Sequence, residues 1–462
     1  MRRDLVLGST RELGTVGLVA GLSGCYAGVL VTTSSFLSVN SRQGGTTGGM
    51  LQVVSTVFIL IAVYVAAVVI VNAVDTVLAG RLPQIALLRL LGARASSLRS
   101  AAMRGVAVVG AIGAVGGAAV GTVGADVLRV VLVHQGHLED TRYPVTSVWL
   151  VVPVLTITAA SALAGRIGSR QVLAVSPAAA MGGPTSATSS GRPTSRRRLV
   201  WSTLLVVTGV LLLLLAMVLG ESGSLAGFLV AFLGSVTAST GLLVGARLII
   251  PGLVGLTSRL LGRTPEARLA GRNAVRDPLR TTRSTMGLVI GVTLVTTFAS
   301  GLTALRQSVH SWPDLSAAQE AHARSNLTTI TQVLVAVVVI SSLISAVGFV
   351  STMSLTVIQR RREIGLLRAL GLTRRHVSRM ITLESAALSA TAIAFGIALG
   401  VVFGSVGTQA LVGRFTSGFA WGLPWLVLGG TVVGAVALVL AAARPPARRA
   451  VRVTPVEALR TD

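Results

Sequence analysis

The chain has 462 residues, 52% of them hydrophobic and only 12% charged, with mean hydropathy +0.79, whereas a soluble globular domain carries about 25% charged residues. This excludes a soluble fold and indicates an all-α integral membrane protein, because runs of about 20 apolar residues read as spanning helices. The net charge is +25 and all 40 basic residues are arginine; with no lysine the chain cannot build the phosphate-binding loop of an ATPase, so any ATP would have to be bound by another subunit.

Ten apolar segments follow one another, predicting about ten transmembrane helices over 14–35, 50–79, 104–133, 146–165, 199–219, 225–256, 284–305, 327–357, 382–413 and 421–443. Arg2 and Arg3 precede the first as in a signal peptide, but no small-residue cleavage site follows, so it reads as a retained helix. It contains the single cysteine, Cys25, a small buried apolar residue by this reading. The second and eighth segments run to about 30 residues, roughly 45 Å as helix, longer than a bilayer's hydrocarbon core, so they are expected to tilt or project.

Arginine is partitioned by side. With the N-terminus in the cytoplasm, the inside segments hold 33 arginines and the outside segments 5. That asymmetry places both termini in the cytoplasm of a bacterial cell membrane. It accounts for the charge without nucleic acid, since the basic stripes lack aromatic partners for base stacking.

A block recurs. RLPQIALLRLLGAR (81–94) aligns with RRREIGLLRALGLTRR (360–375) at an offset of 279 residues, and each block follows a very long apolar segment and precedes another. VSPAAAM at 175–181 likewise resembles VTPVEAL at 453–459. The organisation read from this is 4+2+4: a first four-helix unit over 1–181, a Gly/Pro/Ser/Thr-rich cytoplasmic linker over 182–198, two linking helices over 199–256, and a second four-helix unit over 257–462 with a preceding interfacial helix. Both units start and end inside, so the repeats are parallel.

In the second block, Ile364, Leu367 and Leu370 recur at helical spacing and make one apolar face. Glu363 suits the positive helix end. Gly371 is an expected helix stop in the left-handed conformation, and Thr373 an expected N-cap of the next helix, RHVSRMITLESA. An anchor on anionic lipid requires only the charge; the repeated LLR-x-LG core fits a short helix docking in a groove of a soluble partner. Upstream, Arg268, Arg272, Arg276 and Arg280 are spaced by four, apart from Leu269 and Val275, which reads as an interfacial helix.

These stretches carry a resemblance. RLAGRNAVRDPLRTTRSTMGLVIGV (268–292), QRRREIGLLRALGLTRRHVSRMITLESAAL (359–388) and VTPVEALR (453–460) resemble the FtsX-like (MacB-type) permease family of ABC transporters. The resemblance implies the membrane half of a transporter, with the short cytoplasmic helix after the second span as the coupling helix that docks on an ATPase. Carried over, Glu363, Ile364, Gly365, Leu366, Leu367, Arg368, Leu370 and Gly371 would form one ATPase-coupling element, and Gln84, Ile85, Leu87, Leu88, Arg89, Leu91 and Gly92 the other. One chain would then supply both membrane halves, with two ATPase subunits holding the ATP and Mg, and no cofactor in the chain itself.

Two departures stand out. The first block has Leu82, Pro83 and Gln84 where the second has Arg361, Arg362 and Glu363, which implies unequal docking. The loops at 36–49 and 306–326 are too short for the large extracellular domain many family members carry. Substrate would then meet the helices directly. The family suggests export of an amphiphile such as a peptide antibiotic or lipid, with antimicrobial peptide resistance as one setting.

Two other classes compete. An ion-coupled secondary transporter needs ionisable residues at mid-membrane, but Asp75, Asp126, Arg247 and Glu384 fall near span ends. A non-transporting regulator of a cell-envelope partner needs an outer docking element, for which 306–326 is the candidate. The loop HQGHLED (134–140) clusters His134, His137, Glu139 and Asp140 but reads as solvated rather than as a metal site, and no catalytic residue is expected.

Overall fold

A computed structural model of the chain describes residues 10–40, 46–80, 94–134, 148–173, 196–260, 278–310, 371–416 and 418–434, with isolated helical positions at 87, 90, 268, 269, 271, 272, 275, 436 and 437. Among the described residues there is no strand, and eight helices are long and apolar enough to cross a membrane. They are α1 (Thr10–Asn40), α2 (Thr46–Gly80), α3 (Ala95–His134), α4 (Val151–Leu173), α5 (Arg196–Glu221), α6 (Ala226–Leu260), α7 (Pro278–His310) and α8 (Arg374–Val412). A shorter apolar helix, α9 (Trp425–Gly434), begins the tenth expected span. The eighth expected span lies outside the described residues.

The helices overrun the apolar segments that announce them. The sequence places the third span from 104 and the ninth from 382, whereas α3 starts at Ala95 and α8 at Arg374. Hydropathy marks where a helix turns apolar; the backbone hydrogen bonds continue through the basic turns before that point.

Within the first repeat, α1 and α3 run parallel along a seam of backbone contacts. A Cβ on Gly113, Gly117 or Gly121 would overlap backbone atoms of Gly17, Gly21 or Cys25. Small residues four apart let helices approach this closely where no hydrophobic effect drives them together. α2 runs antiparallel to α1: Ile70 and Val74 share a buried cluster with Val16 and Ala20, and Phe58 and Ala62 share one with Tyr26 and Leu30. α4 closes the group, with Ile157 and Ala160 in the first of those clusters and Ser161 against Gly110.

In the second repeat, α7 and α8 pair in the same way. Gly396, Gly400 and Gly404 of α8 receive Val292, Thr296 and the backbone of Thr297 and Gly301 of α7. The 279-residue offset of the two blocks carries Gly117 onto Gly396 and Gly121 onto Gly400. Their partners are related differently: Gly21 to Val292 and Cys25 to Thr296 are both offsets of 271. The connection after the first helix is therefore eight residues longer in the second repeat.

α5 and α6 form an antiparallel hairpin. Gly227, Ala231, Gly234, Ala238, Gly241 and Gly245 are buried at alternating spacings of four and three, a heptad seam of small residues. They face Ser202, Gly209, Leu213, Ala216 and Gly220, and Ser202 Oγ donates to the Gly241 carbonyl at 2.9 Å. The hairpin lies on α8. Leu213 and Ala238 cluster with Phe403 and Val406, Gly220 meets the backbone of Gln409 and Ala410, and the Thr257 and Thr391 hydroxyls are 2.7 Å apart. α2 bridges to this group: the Tyr64 and Thr240 hydroxyls are 3.2 Å apart, and Phe58 meets Phe298 edge-on with centroids at 6.1 Å.

Beyond α8 the chain folds back over α7. Ser300 Oγ donates to the Gly422 carbonyl at 2.6 Å, Gly422 N donates to Ser405 Oγ at 3.1 Å, and the Ser308 and Thr416 hydroxyls pair.

Candidate functional site

The candidate site is the set of helix ends where α3 and α8 begin. The two starts are built alike. α3 begins after Arg94 and α8 after Thr373, residues 279 apart. The Arg94 carbonyl accepts from Leu98 N at 3.2 Å, and the Thr373 carbonyl accepts from Val377 N at 3.1 Å. Leu98 and Val377, again 279 apart, are both buried. The repeat thus extends to individual hydrogen bonds.

Thr373 is the N-cap anticipated for α8: its side chain accepts from His376 N at 3.3 Å, satisfying one orphan donor of the first turn. Gly371 adopts φ +98°, the left-handed conformation that glycine enters without steric cost. The short helix it was expected to stop lies outside the described residues, as do Glu363, Ile364, Gly365, Leu366, Leu367, Arg368 and Leu370. Of the coupling residues expected in the first block only Leu87 is described; it is helical and exposed. Gln84, Ile85, Leu88, Arg89, Leu91 and Gly92 lie outside. Leu90, not singled out in the sequence, is exposed beside Leu87.

The second basic feature divides. Arg268 and Arg272 are helical and exposed, as an interfacial helix requires. Gly271 is buried, a Cβ there would overlap the Ser258 hydroxyl, and Val275 lies next to Gly255. This segment is therefore seated on the end of α6, a contact the arginine spacing did not reveal. Arg276 lies outside the described residues. Arg280 belongs to α7, which starts at Pro278, rather than to a separate interfacial helix. Proline favours the first position of a helix because its missing N–H has no intrahelical partner there.

Exposed arginines gather at these ends: Arg94 and Arg104 on the start of α3, Arg196 and Arg197 on α5, Arg375 and Arg379 on α8, and Arg259 at the end of α6. Arg99 is half-buried among them. At the other end of the helices, Arg129 pairs with Asp126 at 2.8 Å, and Arg306 and Arg414 are exposed. Of the other intramembrane charges, Glu384 is buried well inside α8, and both it and Arg247 are engaged with neighbours. Among the described residues no three His, Cys, Asp or Glu side chains come together as a metal site would need.

A family model described as the FtsX-like permease C-terminal matches residues 56–177 and 335–455, together more than half of the chain. The chain belongs to the FtsX-like permease family. The two matches begin 279 residues apart, the offset already found in the blocks, the glycine seam and the helix starts. Membership makes this FtsX-like permease the multi-pass membrane subunit of an ABC-type system, working with ABC ATPase partners. No curated protein matches it.

Proposed function

We propose that this permease exports or extrudes an amphiphilic substrate, such as a peptide antibiotic or a lipid, driven by two ATPase subunits that dock on the blocks at 84–92 and 363–371. The chain then contributes both membrane halves in a 4+2+4 arrangement, with its termini and the arginine-rich ends in the cytoplasm. ATP and Mg are held by the docked subunits. The observation that carries this reading is the shared register of the two repeats. Family match, the seam glycines of α3 and α8, and helix start all keep one offset, so the blocks immediately before α3 and α8 stand at equivalent places in the sequence and offer two like docking points. The concentration of exposed arginine at that end supports a cytoplasmic placement.

The test is co-purification of the full chain with its cognate ATPase, comparing wild type with the double substitution Leu88→Asp and Leu367→Asp. Two ATPases captured by the wild type and few or none by the variant is the expected result. Equal capture by both would make the blocks lipid anchors, and capture by neither would favour an ion-coupled transporter.

A further inference from the structure

The hairpin α5–α6 covers one face of α8, and no described residue covers the equivalent face of α3. Thr391, Val406 and Gln409 are 2%, 7% and 4% exposed; Ile112, Val127 and Val130, each 279 residues earlier, are 70%, 59% and 44% exposed. The residues have changed in two directions. Thr391 and Gln409, which bond to Thr257 and Glu221 of the hairpin, are replaced by Ile112 and Val130. Phe395 and Phe403 are replaced by Gly116 and Gly124, and a Cβ on either glycine meets nothing within 4 Å.

Removing the polar groups suits lipid and a dry helix contact equally. The glycines suit only the helix contact. Close approach over small residues drives helix association in a bilayer, and a surface meant for acyl chains has no use for two notches. The other repeat shows that this position of the four-helix unit takes a helical hairpin.

A second copy of the chain has no free hairpin to offer, because its own is already seated on its own α8.

We propose that this face of α3 docks a transmembrane hairpin from a different membrane protein. Its contacting helix carries a small residue level with Val131, as Gly220 is with Ala410. It carries a residue larger than leucine level with Gly124, where Leu213 meets Phe403 in the other repeat. This inference stands apart from the export reading and needs only the membrane fold.

The test places the photo-crosslinking residue p-benzoylphenylalanine at Val127 of the full chain, with its ATPase, in membranes of the native host. Leu211, on the outward face of α5, is the control position. The expected result is a protein adduct at 127, mapping to a transmembrane segment with the stated small and large residues, and lipid adducts at 211. Refilling the notches with Gly116→Phe and Gly124→Phe is expected to lower the protein adduct at least tenfold while thermal stability and ATPase capture stay unchanged. Gly124→Ala, a milder filling, gives a smaller loss. Lipid adducts alone at 127, an adduct to a second copy, or a protein adduct indifferent to the notches would each overturn the proposal.

Discussion

Gly117 and Gly121 are the residues on which the first repeat depends. Their α-carbons lie against the backbone of Gly21 and Cys25, and backbone cannot step aside as a long side chain can. Overpacking a seated position costs about 1–3 kcal/mol and occasionally more, and a clash with main chain belongs at the upper end. Gly121→Leu is therefore expected to lower the unfolding midpoint in detergent sharply or to abolish stable expression. Gly124→Leu, three residues on and open to the surroundings, is expected to leave both unchanged. The pattern was present in the sequence as Gly113, Gly117 and Gly121 and again as Gly396, Gly400 and Gly404. It is not legible there, because glycine and alanine are so frequent in α3 that spacing by four stands out only once the partner helix is known.

At α8, a single hydroxyl decides where the helix begins. Thr373 accepts from His376 N, and loss of such a cap costs about 1 kcal/mol. Thr373→Ala is expected to speed hydrogen exchange of the first-turn amides severalfold, with Thr373→Ser restoring protection. Protection unchanged in the alanine variant would mean that tertiary packing of Val377 and Met380, both buried, sets the start instead. This cap was legible because threonine stood between a glycine and an apolar run. The start of α3 was not, since Arg94 offers no capping side chain and Arg99 and Arg104 masked a helix that hydropathy dates from 104. The seating of Gly271 on Ser258 was also hidden, as nothing in local spacing tells which distant helix end a basic segment meets. The repeat itself was the most legible feature, because one offset survives in the block residues, the seam glycines and the helix starts alike.

Across the molecule, the repeats share a plan and differ in how they are held. α8 is gripped by α7, by the hairpin at Thr391, Phe403 and Gln409, and near Ser405 by the returning chain at Gly422. Among the described residues α3 has α1 and α4 and a flank that none of them covers. The seams differ too. In the second repeat, Val292 and Thr296 stand as teeth in the notches of Gly396 and Gly400; in the first, glycine lies on glycine with little side chain between. Moving α8 along α7 means lifting each tooth over the next residue. Moving α3 along α1 meets one such tooth, Val109 over Gly17, and otherwise mostly backbone, so the first repeat has the smoother track. If ATP turnover shifts helices along their axes, spin labels on Leu18 and Ile112 are expected to report a larger displacement than labels at Val289 and Ala394. Under such a stroke this permease, built from two copies of one unit, would have a smoother half and a more firmly keyed half, and resistance to sliding would differ from one side to the other.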